Sequence, residues 1–326
     1  MIQPAELKLD LPMEVGNGAI STTGKVWQIL TASNDGDIDT VRKLVEECPG
    51  LMYAQYNYAP PIHFAVREGH TELVNYLLAN GAHDAAYRIY PFNESLQIIA
   101  QDRGYLEIEK RLDEYASDTS RHKYKGDNGK IFYDRSQDEA EFEKAVSEND
   151  LEQTKRILQS HPEFALDQTY FWSEGILLFA AKRNQRGMID LLMSYGAKVP
   201  GVLKWTQAYY FERLDGATYM MEKGMNPNTM SWQHVTILHD MAQKGFTDRA
   251  ELLIKYGTNV NAVDEAYQST PLGLAARWGQ IEMVQYLLSK QADRNNAGAL
   301  WATPLAWAQR KGHSKIEAIL SEAGAK

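Results

Sequence analysis

One cysteine, Cys48, is all the thiol in this chain. A single thiol closes no internal disulfide and builds no cysteine metal cluster, so a reducing compartment fits. Continuous apolar runs are missing too: no window approaches the roughly 18 residues that a membrane span needs. The opening stretch MIQPAELKLDLPMEVGNGAI scatters acids where a secretory leader would need an apolar core, and the expectation is a cytoplasmic chain. Basic excess is also lacking. The formal net charge is −9 over 326 residues, which argues against a nucleic-acid binder, because phosphate contact needs concentrated cations.

Reaction motifs are scarce in the same way. There is no G-x-S-x-G, no Walker A loop, no H-E-x-x-H and no zinc spacing. SNDGDID, residues 33–39, is rich in calcium-type ligands but lacks the glutamate at the twelfth loop position. GNG, residues 16–18, lacks the third glycine and the preceding strand of a dinucleotide fingerprint. No catalytic residue, cofactor or metal ligand is assigned on these grounds.

What the chain does have is repetition. A turn residue recurs at Gly36, Gly69, Gly104, Asn149, Asn184, Glu212, Gly245, Gly279 and Gly312, with a spacing close to 33 except for 45 between Gly104 and Asn149 and 28 between Asn184 and Glu212. Eight positions after each anchor stands an apolar residue: Leu44, Leu77, Leu112, Ile157, Leu192, Met220, Leu253, Leu287 and Leu320. The letters around the anchors have physical jobs. Thr270 and Thr303 are helix N-caps, and Pro271 and Pro304 occupy the first helical position, where no N–H is needed. Gly279 and Gly312 supply the positive φ that ends that helix. Ile281, Val284, Leu287 and Leu288 then form the apolar stripe of a second helix.

The stretches PPIHFAVREGHTELVNYLLANGA (60–82), TILHDMAQKGFTDRAELLIKYGT (236–258), STPLGLAARWGQIEMVQYLLSKQA (269–292) and ATPLAWAQRKGHSKIEAILSEAGA (302–325) carry a family resemblance. The chain resembles the ankyrin repeat family over roughly residues 25–325, with the segments 140–160 and 203–224 degenerate. The resemblance implies an all-α, ankyrin-type α-solenoid of roughly nine repeats with short hairpin-like loops and one inserted loop. The expected organisation is an N-terminal extension (1–24), N-terminal repeats (25–115), an insertion (116–137) and C-terminal repeats (138–326). The extension is either disordered or folded back over the first repeat. Asp127-Asn128-Gly129 lets the insertion read as a small hairpin or as a solvated loop.

In an ankyrin-like stack, partner contacts come from loop tips and from the first-helix residues just before the turn glycine. Those positions hold rings and cations here, the residue types that dominate recognition hot spots. The candidate binding residues are Trp172, Arg183, Tyr210, Trp232, His234, Asp240, Lys244, Tyr267, Arg277, Trp278 and Trp301. The leading expectation is a non-enzymatic module holding a partner protein, with no nucleic acid and no membrane involved. The alternative is a small-molecule, even carbohydrate, site or enzyme using His234, Asp240 or Glu174. His63 and His239 stand where the family's histidine ties loop to helix, so a structural role is expected for both. Asp240 is the odd residue, because that helix position is apolar at Phe64, Phe179, Leu274 and Trp307.

Overall fold

The computed structural model describes all residues except 16–18, 84–86, 90–91, 118–129, 132–136, 168–169, 171–174, 200–209 and 232, and the backbone alone at 130–131. It is mostly helical and forms two compact units, residues 3–132 and 133–326.

The N-terminal unit opens with a 3-10 turn, Glu6–Lys8, and an antiparallel hairpin of β1 (Pro12–Val15) and β2 (Ala19–Thr22), with Pro12 opposite Thr22 and Val15 opposite Ala19. Met13 and Val15 alternate inward and are buried with Leu7 against the first repeat. The extension therefore folds back and is ordered where described. Lys130–Ile131 of the insertion form β3, which pairs antiparallel with β1, so the sheet order is β2-β1-β3. This small sheet is an addition to the all-helical expectation. The Asp127-Asn128-Gly129 turn lies outside the described residues, as does the GNG triplet.

Three helix pairs follow in this unit: α1 (Thr23–Asp35) with α2 (Ile38–Glu47), α3 (Pro61–Glu68) with α4 (Thr71–Ala79), and α5 (Leu96–Arg103) with α6 (Leu106–Ser117). The C-terminal unit continues with α7 (Gln137–Glu148), α8 (Leu151–Ser160), α9 (Leu178–Lys182), α10 (Arg186–Ser194), α11 (Leu214–Glu222), α12 (Ile237–Lys244), α13 (Thr247–Lys255), α14 (Pro271–Arg277), α15 (Ile281–Ser289), α16 (Pro304–Arg310) and α17 (Ser314–Glu322). The first-helix position before α11 falls in 200–209, outside the described residues.

Every anchor in the sequence lies two residues before a second helix. Eight of the nine adopt positive φ, from 54° at Asn184 to 81° at Gly69; Glu212 does not. All nine apolar residues eight positions on are buried. Thr270 and Thr303 cap as their sequence implies, accepting from Gly273 N at 3.2 Å and Ala306 N at 3.3 Å.

Neighbouring repeats are tied through a recurrent bond. A side chain one residue past an anchor donates to a backbone carbonyl of the preceding repeat: His70 Nε2 to Asn34 O at 2.7 Å, Gln280 Nε2 to Gln243 O at 2.8 Å, and His313 Nε2 to Arg277 O at 3.1 Å. Each is worth about 1 kcal/mol net. The donor also lies over the preceding glycine. A Cβ on Gly279 would sit 2.9 Å from His313 Cε1, whereas one on Gly312 would meet nothing within 4 Å. The two glycines have nearly equal φ, 75° and 73°. Gly312→Ala should therefore cost only the left-handed backbone term, about 1 kcal/mol, and Gly279→Ala at least twice that, because the bonded imidazole must move. Urea unfolding of both variants checks this. Equal losses would show that the imidazole contact contributes nothing.

Candidate functional site

The loop edge of the last three repeats is built by side chains that fix each loop onto the next. Asp264 shapes the turn before α14: its carboxylate accepts from Tyr267 N at 2.6 Å and Ser269 N at 3.2 Å, and its N–H donates to Ser269 O at 3.0 Å. The turn drives the Tyr267 ring inward. Ser269 Oγ then donates to Ala302 O at 3.0 Å and accepts from Trp307 Nε1 at 3.2 Å, joining this loop to the following one.

Arg277, the last residue of α14, lies at the centre of an aromatic cage. Its Cζ is 4.5 Å from the Tyr267 ring centre, 4.6 Å from Trp278 and 4.5 Å from Trp307. Tyr267 meets both indoles edge-on, at 5.5 Å and 6.0 Å. A guanidinium suits such a site because it is planar and weakly hydrated, and it gains from ring faces on several sides. One repeat later the pattern runs outward. Arg310 covers Trp307 at 5.0 Å and Trp301 at 5.5 Å, and Arg310 Nη2 donates to Trp301 O at 3.2 Å. Trp301 stands edge-on to Trp307 at 5.7 Å on the short 3-10 turn Leu300–Ala302.

The structure corrects the surface expected for several candidates. Tyr267 is 0% exposed, Tyr210 1%, Asp240 3% and Arg277 4%, so all four lie beneath the surface on which the sequence placed them. The physical reason is the same for the rings and Arg277: in a stack, the loop of one repeat is roofed by the next. Trp278 and Trp301 are half-buried, and Lys244 and Arg183 are exposed. Arg183 braces its own stack, donating to Ser147 O at 2.6 Å while covering Phe179 at 5.2 Å. Trp172, Trp232 and Glu174 lie outside the described residues.

His234, His239 and Asp240 do not act together. His234, at φ 59°, turns its Nδ1 to Glu265 Oε1 at 3.1 Å. His239 Nδ1 accepts from Thr236 N at 3.1 Å in a capping box, and its Nε2 donates to Ser269 O at 3.2 Å. Burial holds its pKa below the ordinary histidine value. Its role is the structural one expected. His63 differs: Pro60 takes the cap position, and His63 Nδ1 lies 3.0 Å from the Tyr87 hydroxyl instead. Asp240 Oδ2 accepts from Lys244 Nζ at 2.8 Å, one helical turn along, while its Oδ1 has no hydrogen-bond partner. Burial raises the Asp240 pKa, and Lys244 opposes that only in part.

One surface residue escaped the sequence reading. Leu300 is 92% exposed, directly beside Trp301. A leucine in a repeat reads as core, and only its place on the outer side of a tight turn distinguishes it.

Within each unit, paired helices recur in one register and are joined by loops, the arrangement of a helical-repeat protein. Residues 207–298 and 238–326 match ankyrin repeats (3 copies), and residues 57–87 match an ankyrin repeat. These segments carry ankyrin repeats, which are generally protein–protein interaction modules. Among the described residues no helix is long and apolar enough to cross a membrane.

Proposed function

We propose that the C-terminal unit holds a partner protein on the loop edge of its last three repeats. Trp278, Leu300 and Trp301 are the apolar contacts, and Lys244, Arg310 and Lys311 are cations at the ends of the first helices of the same repeats. Leu300 carries the reading. A leucine left in water forgoes roughly 2 kcal/mol of burial, and this one is presented on a turn that Arg310 braces through Trp301. A preordered contact loses little entropy on binding. Tyr267, Arg277 and Trp307 hold the edge in shape from beneath. The aromatic row expected from the sequence thus divides into a supporting layer and a smaller contact surface.

A photo-crosslinking residue placed at Leu300 should capture a protein from extracts of the source cells, and the same residue at Glu282, exposed on α15, should not. Excess unlabelled chain should compete, and excess Leu300→Glu chain should not. Equal labelling from both positions, or competition by the variant, would overturn the assignment.

A further inference from the structure

The second helices of the repeats share a charge pattern that α17 breaks. Three residues past the anchor stands Asp or Glu in every repeat but two, the exceptions being Gly187 and Lys315. An acid in that first turn suits the positive end of the helix, and Lys315 opposes it. Glu322, the last residue of α17, opposes the negative end in the same way. By contrast α13 runs in the favourable sense, from Asp248 to Lys255. Six residues past the anchor the side chain is polar or charged in every repeat from Arg42 to Gln285, and Ala318 alone is small and apolar.

These departures lie on one face. Lys315, Ala318, Ile319 and Glu322 follow i, i+3, i+4, i+7 spacing, while Ile316 and Leu320 turn into the repeat and are buried. Lys315, Ala318 and Glu322 are exposed, and Ile319 is half-buried. Leu252, at the place of Ile319 on α13, is buried. Lys315 and Glu322 do not satisfy one another, because two turns of helix, about 10 Å, separate them. A helix with opposite charges at equal distances from an apolar centre is complementary to itself when turned end for end.

We propose that two copies of the chain pair through α17, antiparallel about a two-fold axis that passes between Ala318 and Ile319. Lys315 of each copy then meets Glu322 of the other, and the two contacts are equivalent by symmetry. Ala318 lets the helix axes approach closely, and Ile319 packs beside it. A charge placement that is unfavourable in the single helix becomes favourable across the axis. This face is separate from the loop edge, since it draws on second-helix residues only. One helix face is smaller than the roughly 800 Å² per partner of a standard interface, so the pairing is weak and concentration-dependent.

Sedimentation velocity of the intact chain at concentrations up to about 200 µM tests it. The parent should move from monomer towards dimer as concentration rises. Lys315→Glu and Glu322→Lys each set like charges opposite one another at both contacts, and each should weaken self-association at least about tenfold. Both substitutions bring the helix into line with its dipole, so urea midpoints measured at low concentration should match or exceed that of the parent. Mixed in equal amounts, the two variants should pair again, because every contact then joins an acid on one chain to a base on the other. A parent that stays monomeric throughout would overturn the proposal and leave the loop-edge reading untouched. Single variants that dimerise like the parent, or a mixture no more associated than its components, would also overturn it.

Discussion

Arg277→Ala should lower the stability of the C-terminal unit by about 3 kcal/mol. Three ring faces lie within 4.6 Å of the guanidinium carbon, and removing the head group leaves them facing a void. Desolvated cation–π pairs are worth up to about 2 kcal/mol each, and cavity formation in a core costs on the order of 2–5 kcal/mol. The two do not add in full, because they describe the same lost contacts and because burying a cation carries a desolvation cost that the alanine avoids. Arg277→Lys should recover less than half of the loss, since a compact ammonium cannot lie flat against several rings. Urea unfolding followed by tryptophan fluorescence suits the measurement, because Trp278 and Trp307 line the cage. A loss below about 0.5 kcal/mol in the alanine variant, or a lysine variant equal to the parent, would show that the cage is held by its rings alone.

The same residue reveals what sequence can and cannot disclose here. Arg277 and Arg310 occupy one motif position on two nearly identical helices. Arg277 is enclosed because a further repeat lies over it, whereas Arg310 is exposed. Nothing in the letters PLGLAAR and PLAWAQR separates them. The backbone was easier to read, because positive φ at Gly36, Gly69 or Gly279 is a local property that glycine announces. The buried column from Leu44 to Leu320 follows from helical period alone.

Ring orientation depended on longer-range contacts. Tyr267 points inward because Asp264 folds the turn around it, and a loop tyrosine in sequence looks alike whether it faces in or out. That the N-terminal extension folds back over the first repeat was one of two open readings. Its deciding feature, the pairing of Met13 with Ile131, links positions more than a hundred residues apart.

Asp240→Leu should act in the opposite direction and stabilise the C-terminal unit at neutral pH by about 1–2 kcal/mol. Leu274 and Trp307 show that the equivalent positions on α14 and α16 are apolar and fully buried. Asp240 places a carboxylate there, with one oxygen on Lys244 and the other without a hydrogen bond. Burial raises its folded pKa above the ordinary 3.8, so through the window between those values the native chain binds more protons than the unfolded one. Stability contributed by this residue is then greatest in acid and falls as pH rises through the raised pKa. His239, its neighbour, runs the other way. Burial lowers its pKa from 6.5, so the unfolded chain binds the extra proton and stability falls as pH drops below that value. In the parent the two slopes oppose one another wherever the windows overlap; in Asp240→Leu only the histidine slope remains. The gain from leucine should therefore be largest near neutral pH and shrink as the solution is acidified towards the ordinary carboxylate value. Urea midpoints of parent and variant over that range decide the matter. A gain that does not change with pH would assign the cost to packing rather than to charge, and a variant less stable than the parent would mean that the bond to Lys244 outweighs the desolvation of Asp240.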